Sequence, residues 1–440
     1  MGTLLLGIAI AVELFFVIWS VVTKDRHDLE KVVVRVGSVV LMILLLLIGV
    51  LDGLFRYGMF LVILAIQAGI GYLVWRKKKE KPFKAWKQIM KLFGNGMLYA
   101  SALFIAILLP QYKESAVTGE HEVETAVYTW VDESRVETFT NTGEKRAVTI
   151  KVWYPKEEGT YPLAVFSHGA FGVLDSNTST CTELASNGYV AVSIAHPYHA
   201  AYVEDANGNV TIGSMDFLNQ VYADNGGDTP EEERRVYEFS REWMALRTAD
   251  ENFVLDTMLE KAKEGEAPFS LIDTERIGLF GHSMGGATSA ALGRQRSDID
   301  AVIVMEGTMF GEYTDFVDGA YVYNDEPYPV PLLDINSREV YDQAMLLPEQ
   351  AGVTYLNFYI GEHAKDFHEV VINGVSHMNF TDLPLVSPIL AKVLCTGTFS
   401  SGESTVSAKT CIETVNAIIL EYFDYYLKDE GSLDLQSEYL

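Results

Sequence analysis

The chain divides near residue 111 into two parts that differ in hydropathy and in the sign of their charge. Residues 1–111 contain 13 Lys and Arg against 6 Asp and Glu, a net of +7, whereas residues 112–440 contain 20 against 54, a net of −34. The first part is dominated by long apolar runs, and the second has the composition of a soluble globular domain. The two parts therefore cannot form a single soluble domain. A domain of charge −34 repels phosphate, so we expect no nucleic-acid partner.

Four apolar runs approach the roughly 20 residues that a helix needs to cross a bilayer. They lie at about 3–23, 32–51, 57–75 and 92–109. The first run lacks the basic start and the small-residue cleavage site of a signal peptide, so we expect it to be retained. The pattern predicts a four-helix transmembrane region over residues 1–111.

Lys and Arg concentrate between the third and fourth runs, where eight of them in residues 76–91 are opposed by Glu80 alone. Short loops rich in Lys and Arg stay in the cytoplasm. The smaller basic loop at 24–31 agrees with this orientation. We therefore predict a multi-pass protein of the cell membrane whose domain of residues 112–440 is extracytoplasmic.

Glu13 lies in the middle of the first run, where an ionisable side chain is costly and is a functional hint by default. We favour a hydrogen-bonding role for Glu13 inside the helix bundle, with Arg35 reaching the membrane interface. A role in transport or proton relay is the alternative.

After residue 111, short β-branched runs alternate with helical stretches. Runs of this kind suit strands that are buried on both faces of a parallel sheet. The predicted strands are Thr125–Val131, Val148–Tyr154, Leu163–Ser167, Tyr189–Ile194, Ile277–Phe280, Ala301–Met305 and Tyr355–Ile360. The alternation predicts a doubly wound α/β domain with its ligand site at the carboxyl ends of the strands. Residues 200–230, rich in Asn and Gly, interrupt the alternation and are predicted to form an insertion or lid.

The segment from Ile277 to Gly286 combines a strand, a G-x-S-x-G pattern and the start of a small-residue helix. A serine on a tight turn between strand and helix needs flanking glycines, because side chains there would collide. Such a turn exposes the hydroxyl group above the sheet. Ser283 is therefore the predicted nucleophile.

A serine hydroxyl needs a histidine to accept its proton. Three histidines follow Ser283 in the chain. His363 and His368 lie in the charged stretch 362–369, which is typical of a solvated connection, whereas His377 lies in a loop beyond the last predicted strand. We predict His377 as the base.

The acid that orients this histidine is not decided by the residues alone. Glu306 directly follows the predicted strand Ala301–Met305, which places it at the carboxyl edge of the sheet. Glu362 and Asp366 follow the next predicted strand, which is the other common position for the acid. All three stay open at this point.

An oxyanion hole needs two backbone N–H groups directed at the developing alkoxide. One is expected from Met284, the residue after the nucleophile. The other is expected where Leu163–Ser167 runs into His168-Gly169-Ala170, and Ala170 is the predicted donor.

Taken together, residues 145–430 resemble the platelet-activating factor acetylhydrolase family of isoform II, which are serine-dependent α/β hydrolases. The most specific segments are Gly281–Thr288 and Ser376–Phe380, with Val152–Pro155, Phe166–Gly169, Arg247, Asp250, Phe253–Asp256, Glu306 and Met309–Phe310 in support. The resemblance implies an α/β-hydrolase fold and places the acid at Glu306, where the family carries aspartate.

The resemblance also implies calcium-independent hydrolysis of short or oxidised sn-2 acyl esters of phospholipids. We therefore expect a membrane-anchored serine carboxylic-ester hydrolase that acts on a lipid or small ester substrate through an acyl-enzyme on Ser283. The alternatives are a peptidase or acyltransferase of the same fold, and a membrane sensor that binds lipid without catalysis.

No spacing of His and Cys typical of zinc sites occurs in the sequence, and a serine hydrolase needs neither metal nor cofactor, so we expect none. Cys395 and Cys411 flank a loop rich in Ser, Thr and Gly. Outside the cytoplasm they could form a disulfide, or both could stay free. Cys181 is expected to be a buried apolar residue.

Overall fold

The computed structural model describes residues 2–51, 54–77, 83–109, 116–223, 229–395 and 403–440. The chain forms two compact units. One comprises Met1–Lys113 with Leu385–Ile389, and the other comprises Glu114–Pro384 with Leu390–Leu440.

The N-terminal unit consists of four helices, one for each apolar run. They are α1 (Gly2–Thr23), α2 (Asp28–Leu47), α3 (Leu54–Arg76) and α4 (Ala85–Leu108). Within the described residues, three helical segments are long and apolar enough to cross a membrane, namely Leu4–Thr23, Arg56–Arg76 and Ala85–Leu108.

The prediction of four transmembrane helices is therefore wrong for the second run. Helix α2 begins at Asp28 and carries Glu30, Lys31 and Arg35 in its first turns. It also ends at Leu47, before the predicted end at residue 51. The uncharged part of the helix is consequently too short to span a bilayer on its own.

Glu13 is buried inside the N-terminal unit and is held by two other helices. The Arg35 guanidinium donates to Glu13 Oε1 through Nη2 at 2.5 Å and Nε at 3.0 Å, and Asn95 Nδ2 donates to Oε2 at 2.8 Å. Glu13 thus has the hydrogen-bonding role that we favoured. Arg35, however, pairs with Glu13 instead of reaching the membrane interface, because an unpaired buried carboxylate would be costly.

The second unit is built on one nine-stranded sheet with two small hairpins beside it. Its strands are β1 (Val123–Val136), β2 (Lys145–Pro155), β3 (Tyr161–Ser167), β4 (Val190–Ala195), β5 (Tyr202–Glu204), β6 (Val210–Ile212), β7 (Ile272–His282), β8 (Ala301–Met305), β9 (Tyr313–Val317), β10 (Ala320–Tyr323), β11 (Leu332–Ser337), β12 (Phe367–Ile372) and β13 (Glu438–Tyr439). The large sheet has the order β1-β2-β4-β3-β7-β8-β11-β12-β13. Strand β2 pairs antiparallel with both its neighbours, and every later pair is parallel.

Helices cover both faces of this sheet. The remaining helices of the chain are α5 (Thr178–Ser186), α6 (Met215–Ala223), α7 (Pro230–Glu264), α8 (Met284–Gln295), α9 (Arg338–Ala351), α10 (Leu356–His363), α11 (Leu383–Val386), α12 (Pro388–Cys395) and α13 (Ala408–Lys428). Helices α7, α8 and α10 contribute to the apolar core on one face, and α5 and α13 to the core on the other. The predicted α/β architecture is confirmed.

Six of the seven predicted strands are present, and the seventh is wrong. The run Tyr355–Ile360 belongs to helix α10, in which Leu356 and Ile360 are spaced four apart and both are buried. Periodicity cannot distinguish strand from helix in an apolar run this short. The strand in that part of the sheet is β11, which the sequence conceals because Asp334, Asn336 and Ser337 are buried polar residues within it.

The predicted insertion contains the hairpin β5–β6 and helix α6, and residues 224–228 lie outside the described residues. Phe217 of α6 is buried, with its ring stacked 3.7 Å from that of His199 and packed edge-on against Trp243. A lid role for this segment stays a prediction.

Candidate active site

Ser283 occupies the single position between the end of β7 and the start of α8. Its backbone angles are φ 55° and ψ −126°, a left-handed conformation that is rare for a residue with a side chain. The conformation is held by two backbone bonds, from Ser283 N–H to Met305 O at 2.8 Å and from Ala287 N–H to Ser283 O at 3.1 Å. The predicted elbow is therefore present, and Ser283 remains partly exposed.

Close backbone approach explains the glycines of the elbow. A Cβ on Gly285 would lie 1.9 Å from the carbonyl oxygen of Ser167, and one on Gly281 would lie 2.3 Å from the carbonyl group of Gly285. Gly307 lies outside the G-x-S-x-G pattern, and a Cβ there would lie 2.2 Å from Ser283 O. Side chains at these three positions would displace the serine.

Glu306 and His377 meet at the carboxyl edge of the sheet. Glu306 follows β8, and its Oε1 accepts a hydrogen bond from His377 Nδ1 at 3.0 Å, while its Oε2 accepts from the N–H of Ser337 at 2.7 Å. Both side chains are buried. A carboxylate in this position keeps the proton on Nδ1, so Nε2 is the nitrogen that can accept a proton.

The two other candidate acids lie away from this pair. Glu362 is an exposed residue of α10. Asp366 precedes β12, and its carbonyl accepts from the N–H of Leu332 at the first residue of β11, which is the amino edge of these parallel strands. The expectation that both follow a strand is wrong because Tyr355–Ile360 is helical.

The two rejected histidines have local partners. The Nδ1 of His363 bonds to the Tyr359 carbonyl one turn earlier in α10 at 2.7 Å, and the Nε2 of His368 bonds to the Tyr426 hydroxyl at 2.9 Å. Neither contacts Glu306 in the described structure.

His282 links the elbow to the loop that carries His377. Its Nε2–H donates to the His377 carbonyl at 3.0 Å, and the two rings lie 4.4 Å apart. Complete burial, with His377 beside it, lowers the pKa of His282 well below its ordinary value, so this ring is neutral.

The loop that carries Ala170 packs directly against the serine. A Cβ on Gly169 would lie 3.1 Å from Ser283 Cβ. Among the described residues, neither Ala170 N–H nor Met284 N–H has a hydrogen-bond partner within the protein. Both predicted oxyanion donors are therefore available to a substrate oxygen.

Asn357 supports the Glu306 turn from α10, a role that could not be predicted while Tyr355–Ile360 was assigned to a strand. Its side chain donates to Gly307 O at 2.9 Å and accepts from Met309 N–H at 3.0 Å. It also donates to Asp334, whose pKa burial raises to about 7. The segment after β8 is thereby fixed on both sides of Gly307.

A second Ser-His-Asp chain lies in the interior, behind the elbow. Ser167 Oγ is 3.0 Å from His196 Nε2, and His196 Nδ1 is 3.1 Å from Asp250 Oδ2. All three side chains are completely buried, and burial lowers the pKa of His196 to about 4. Ser167 is completely buried and out of reach of a substrate, whereas Ser283 is partly exposed, so exposure separates the two serines.

Cys411 is buried and free, with its Sγ 3.4 Å from the Asn379 carbonyl, and Cys181 is also buried and free. The side chain of Cys395 lies outside the described residues, and the free thiol of Cys411 is the second of the two alternatives considered for this pair. Over the described ranges, no group of three His, Cys, Asp or Glu residues is placed to hold a metal ion.

The family model described as platelet-activating factor acetylhydrolase, isoform II, matches residues 133–436. The chain belongs to this family. Two platelet-activating factor acetylhydrolases are similar to it, one from Cavia porcellus at 22% identity over 282 residues and one from Bos taurus at 24% over 235 residues. These matches cover 62% and 50% of this chain but only 59% and 48% of the relatives.

A ferulic acid esterase from Streptomyces cinnamoneus is similar in structure, with a TM-score of 0.54 and 21% identity. The match covers 73% of this chain and 96% of the esterase. At this identity the likeness establishes the fold alone, and it confirms the predicted α/β-hydrolase fold. The four N-terminal helices lie outside the family match.

Proposed function

We propose that this protein is a membrane-anchored serine hydrolase that cleaves acyl esters of lipids. The observation that carries the proposal is the buried pair of Glu306 and His377 at the sheet edge where Ser283 occupies a strained elbow. Membership of the acetylhydrolase family supports the ester chemistry.

In the proposed reaction, Ser283 Oγ attacks the ester carbonyl while its proton moves to His377 Nε2. The carbonyl oxygen becomes an alkoxide that the N–H groups of Ala170 and Met284 stabilise. The C–O bond to the leaving alcohol then breaks, and His377 returns the proton to that oxygen. Water releases the acid from the acyl-enzyme by the same steps, and Glu306 stabilises the imidazolium throughout.

Apolar side chains beside the oxyanion donors support an acyl substrate. Met284, Phe217, Trp243 and Met244 form a buried apolar cluster, against which Ala170 and Phe171 pack. Ala170 and Phe171 are its partly exposed neighbours, and the apolar surface that they present favours a hydrocarbon chain over a charged group. The names of the two relatives point to a short acyl group on a phospholipid, and we propose this substrate class.

A panel of esters with acyl chains of increasing length, assayed on the full-length protein in detergent, tests the proposal. We expect turnover that is highest for short chains, labelling by a fluorophosphonate probe, and loss of both in Ser283→Ala. Faster turnover of matched amides would indicate a peptidase. Lipid binding without turnover or labelling would indicate a sensor.

The proposed location rests on three apolar helices and one basic loop. Because one apolar span follows the basic residues 76–91 before the hydrolase domain begins, its extracytoplasmic placement does not depend on whether α2 crosses the membrane. In intact cells, a membrane-impermeant maleimide should label Asp205→Cys, on the exposed hairpin. It should label Lys84→Cys only after permeabilisation. The reverse pattern would contradict this orientation.

A further inference from the structure

Polar side chains in the interior hold the loop that presents Ala170 N–H. We propose that Arg247 and His168 are positioning residues of the oxyanion hole, which hold the Gly169 carbonyl so that the N–H of Ala170 stays directed at the reacting carbonyl. This inference rests on the proposed function of Ser283.

Three donors converge on the Gly169 carbonyl oxygen. They are His168 Nδ1 at 2.7 Å, the Gly172 N–H at 3.0 Å and Arg247 Nη2 at 3.4 Å. The C=O and the N–H of a trans peptide point in opposite directions. Holding the Gly169 oxygen towards the interior therefore turns the N–H of Ala170 away from the interior, and the preceding residue, Gly169, packs against Ser283.

The tautomer of His168 follows from its two contacts. The backbone N–H of His196 donates to His168 Nε2 at 3.2 Å, so Nε2 carries no proton. Complete burial, with Arg247 nearby, lowers the pKa of His168 well below its ordinary value, so the ring is neutral. The single ring proton is then on Nδ1 and is donated to Gly169.

Arg247 reaches the loop from helix α7 and is completely buried. Besides Gly169, it donates to the His168 carbonyl through Nη1 at 2.6 Å, and its Nε lies 3.3 Å from His199 Nδ1. Burial lowers the pKa of Arg247 to about 9, while the nearby Asp250 carboxylate opposes this change, so the guanidinium remains charged at neutral pH. Its planar fork bridges two successive carbonyls, which a lysine ammonium group cannot do in the same way.

The network continues away from the loop and is rigidly anchored. Asp250 accepts from His196 Nδ1 and from two nitrogens of Arg146, at 2.7 and 2.9 Å. Arg146 is itself buried and donates to Glu137 at 2.8 Å. The buried Ser167–His196–Asp250 chain thus serves to fix His196, whose N–H in turn orients His168.

Arg247→Lys tests the inference in the full-length protein. Because loss of a complete oxyanion donor costs roughly 100- to 1,000-fold in kcat, we expect misalignment of one donor to cost roughly 10- to 100-fold in kcat, with KM changed less than about threefold. Affinity for a trifluoromethyl ketone, whose adduct with Ser283 places an oxyanion in the hole, should fall by the same factor as kcat. Arg241→Lys, on an exposed face of the same helix, should change neither quantity.

A pair of histidine variants covers the case in which Arg247→Lys does not fold. His168→Asn retains a donor near the position of Nδ1 and should keep most of kcat, whereas His168→Ala should lose it. Titration with a fluorophosphonate corrects each rate for the fraction of competent protein. A purely structural role would lower that fraction and leave the corrected kcat and the ketone affinity unchanged, which would overturn the inference.

The two levels of the proposal fail in different ways. A wild-type protein that is neither labelled at Ser283 nor active on any ester would overturn the proposed function, and the inference with it. An active wild-type protein whose Arg247→Lys variant shows only a raised KM, or no change at all, would overturn the inference alone.

Discussion

Replacement of Glu306 by glutamine should disable the proposed base by reversing its tautomer. The Glu306 carboxylate accepts two hydrogen bonds, one from His377 Nδ1 and one from the N–H of Ser337. A glutamine offers only one acceptor oxygen and one NH2 donor. The backbone N–H of Ser337 can only donate, whereas His377 can carry its proton on either ring nitrogen. We therefore expect the glutamine oxygen to accept from Ser337 N–H and the glutamine NH2 group to donate to His377 Nδ1.

His377 would then carry its proton on Nε2 and could not accept one from Ser283. A reversed tautomer of this kind costs about 10,000-fold in a well-studied serine protease, and we expect a loss of roughly 1,000- to 10,000-fold in kcat. That range corresponds to about 4 to 5.5 kcal/mol in the barrier. KM and thermal stability should change little, because the hydrogen bond to Ser337 and the size of the side chain are retained.

The assay is steady-state hydrolysis of a short p-nitrophenyl ester, together with the rate of fluorophosphonate labelling. Glu362→Gln is the matched control, since it makes the same change at the exposed alternative acid. A Glu306→Gln variant within about threefold of wild type would refute the reasoning. A Glu362→Gln variant with an equal loss would refute it as well.

Three further substitutions test the packing and electrostatics around the site. Gly285→Ala should destabilise the domain by at least about 1–3 kcal/mol and abolish probe labelling, because its methyl group would lie 1.9 Å from the Ser167 carbonyl; a stable, labelled variant would contradict this. Burial raises the pKa of Glu251 from an ordinary 4.5 to about 8, so between these values the folded state keeps a proton that the unfolded state has released, and stability falls as pH rises. Between pH 5 and pH 7 the unfolding free energy of the wild type should fall by about 3 kcal/mol more than that of Glu251→Gln, and equal slopes would argue against it. Arg146→Met should cost about 3–5 kcal/mol in unfolding free energy because it removes the buried partner of Glu137 and one of the two arginines that pair with Asp250, whereas Lys156→Met, at an exposed ion pair, should cost much less.

Features that depend on a few consecutive residues were predictable from the sequence. The elbow is one, because the strand, the glycines and the helix start all lie within Ile277–Gly286. The start of α7 is another, because the capping box of Thr229 and Glu232 lies within four consecutive residues. Hydropathy likewise located all four N-terminal helices.

Features that depend on exact helix bounds, or on short runs of mixed polar and apolar residues, were not predictable from the sequence. The second apolar run fails to span a membrane because helix α2 includes the charged residues at its start and stops at Leu47. Strand β11 was missed because its buried polar residues have partners that only the folded chain supplies, such as Asn357 for Asp334. Because Tyr355–Ile360 was assigned to a strand, Glu362 was expected to follow a strand just as Glu306 does, and the two could not be ranked from the sequence.

The sequence by itself determined the division into an apolar, basic part and an acidic α/β domain and the strained turn at Ser283, and it led to His377 as the proposed base. These follow from hydropathy and steric exclusion, which act over short stretches of chain. Only the tertiary structure brought Glu306 to His377 across 71 residues, and only it placed Arg247 against the Gly169 carbonyl. Contacts of this kind depend on which strands become neighbours in the sheet, and local patterns in the sequence do not record that order.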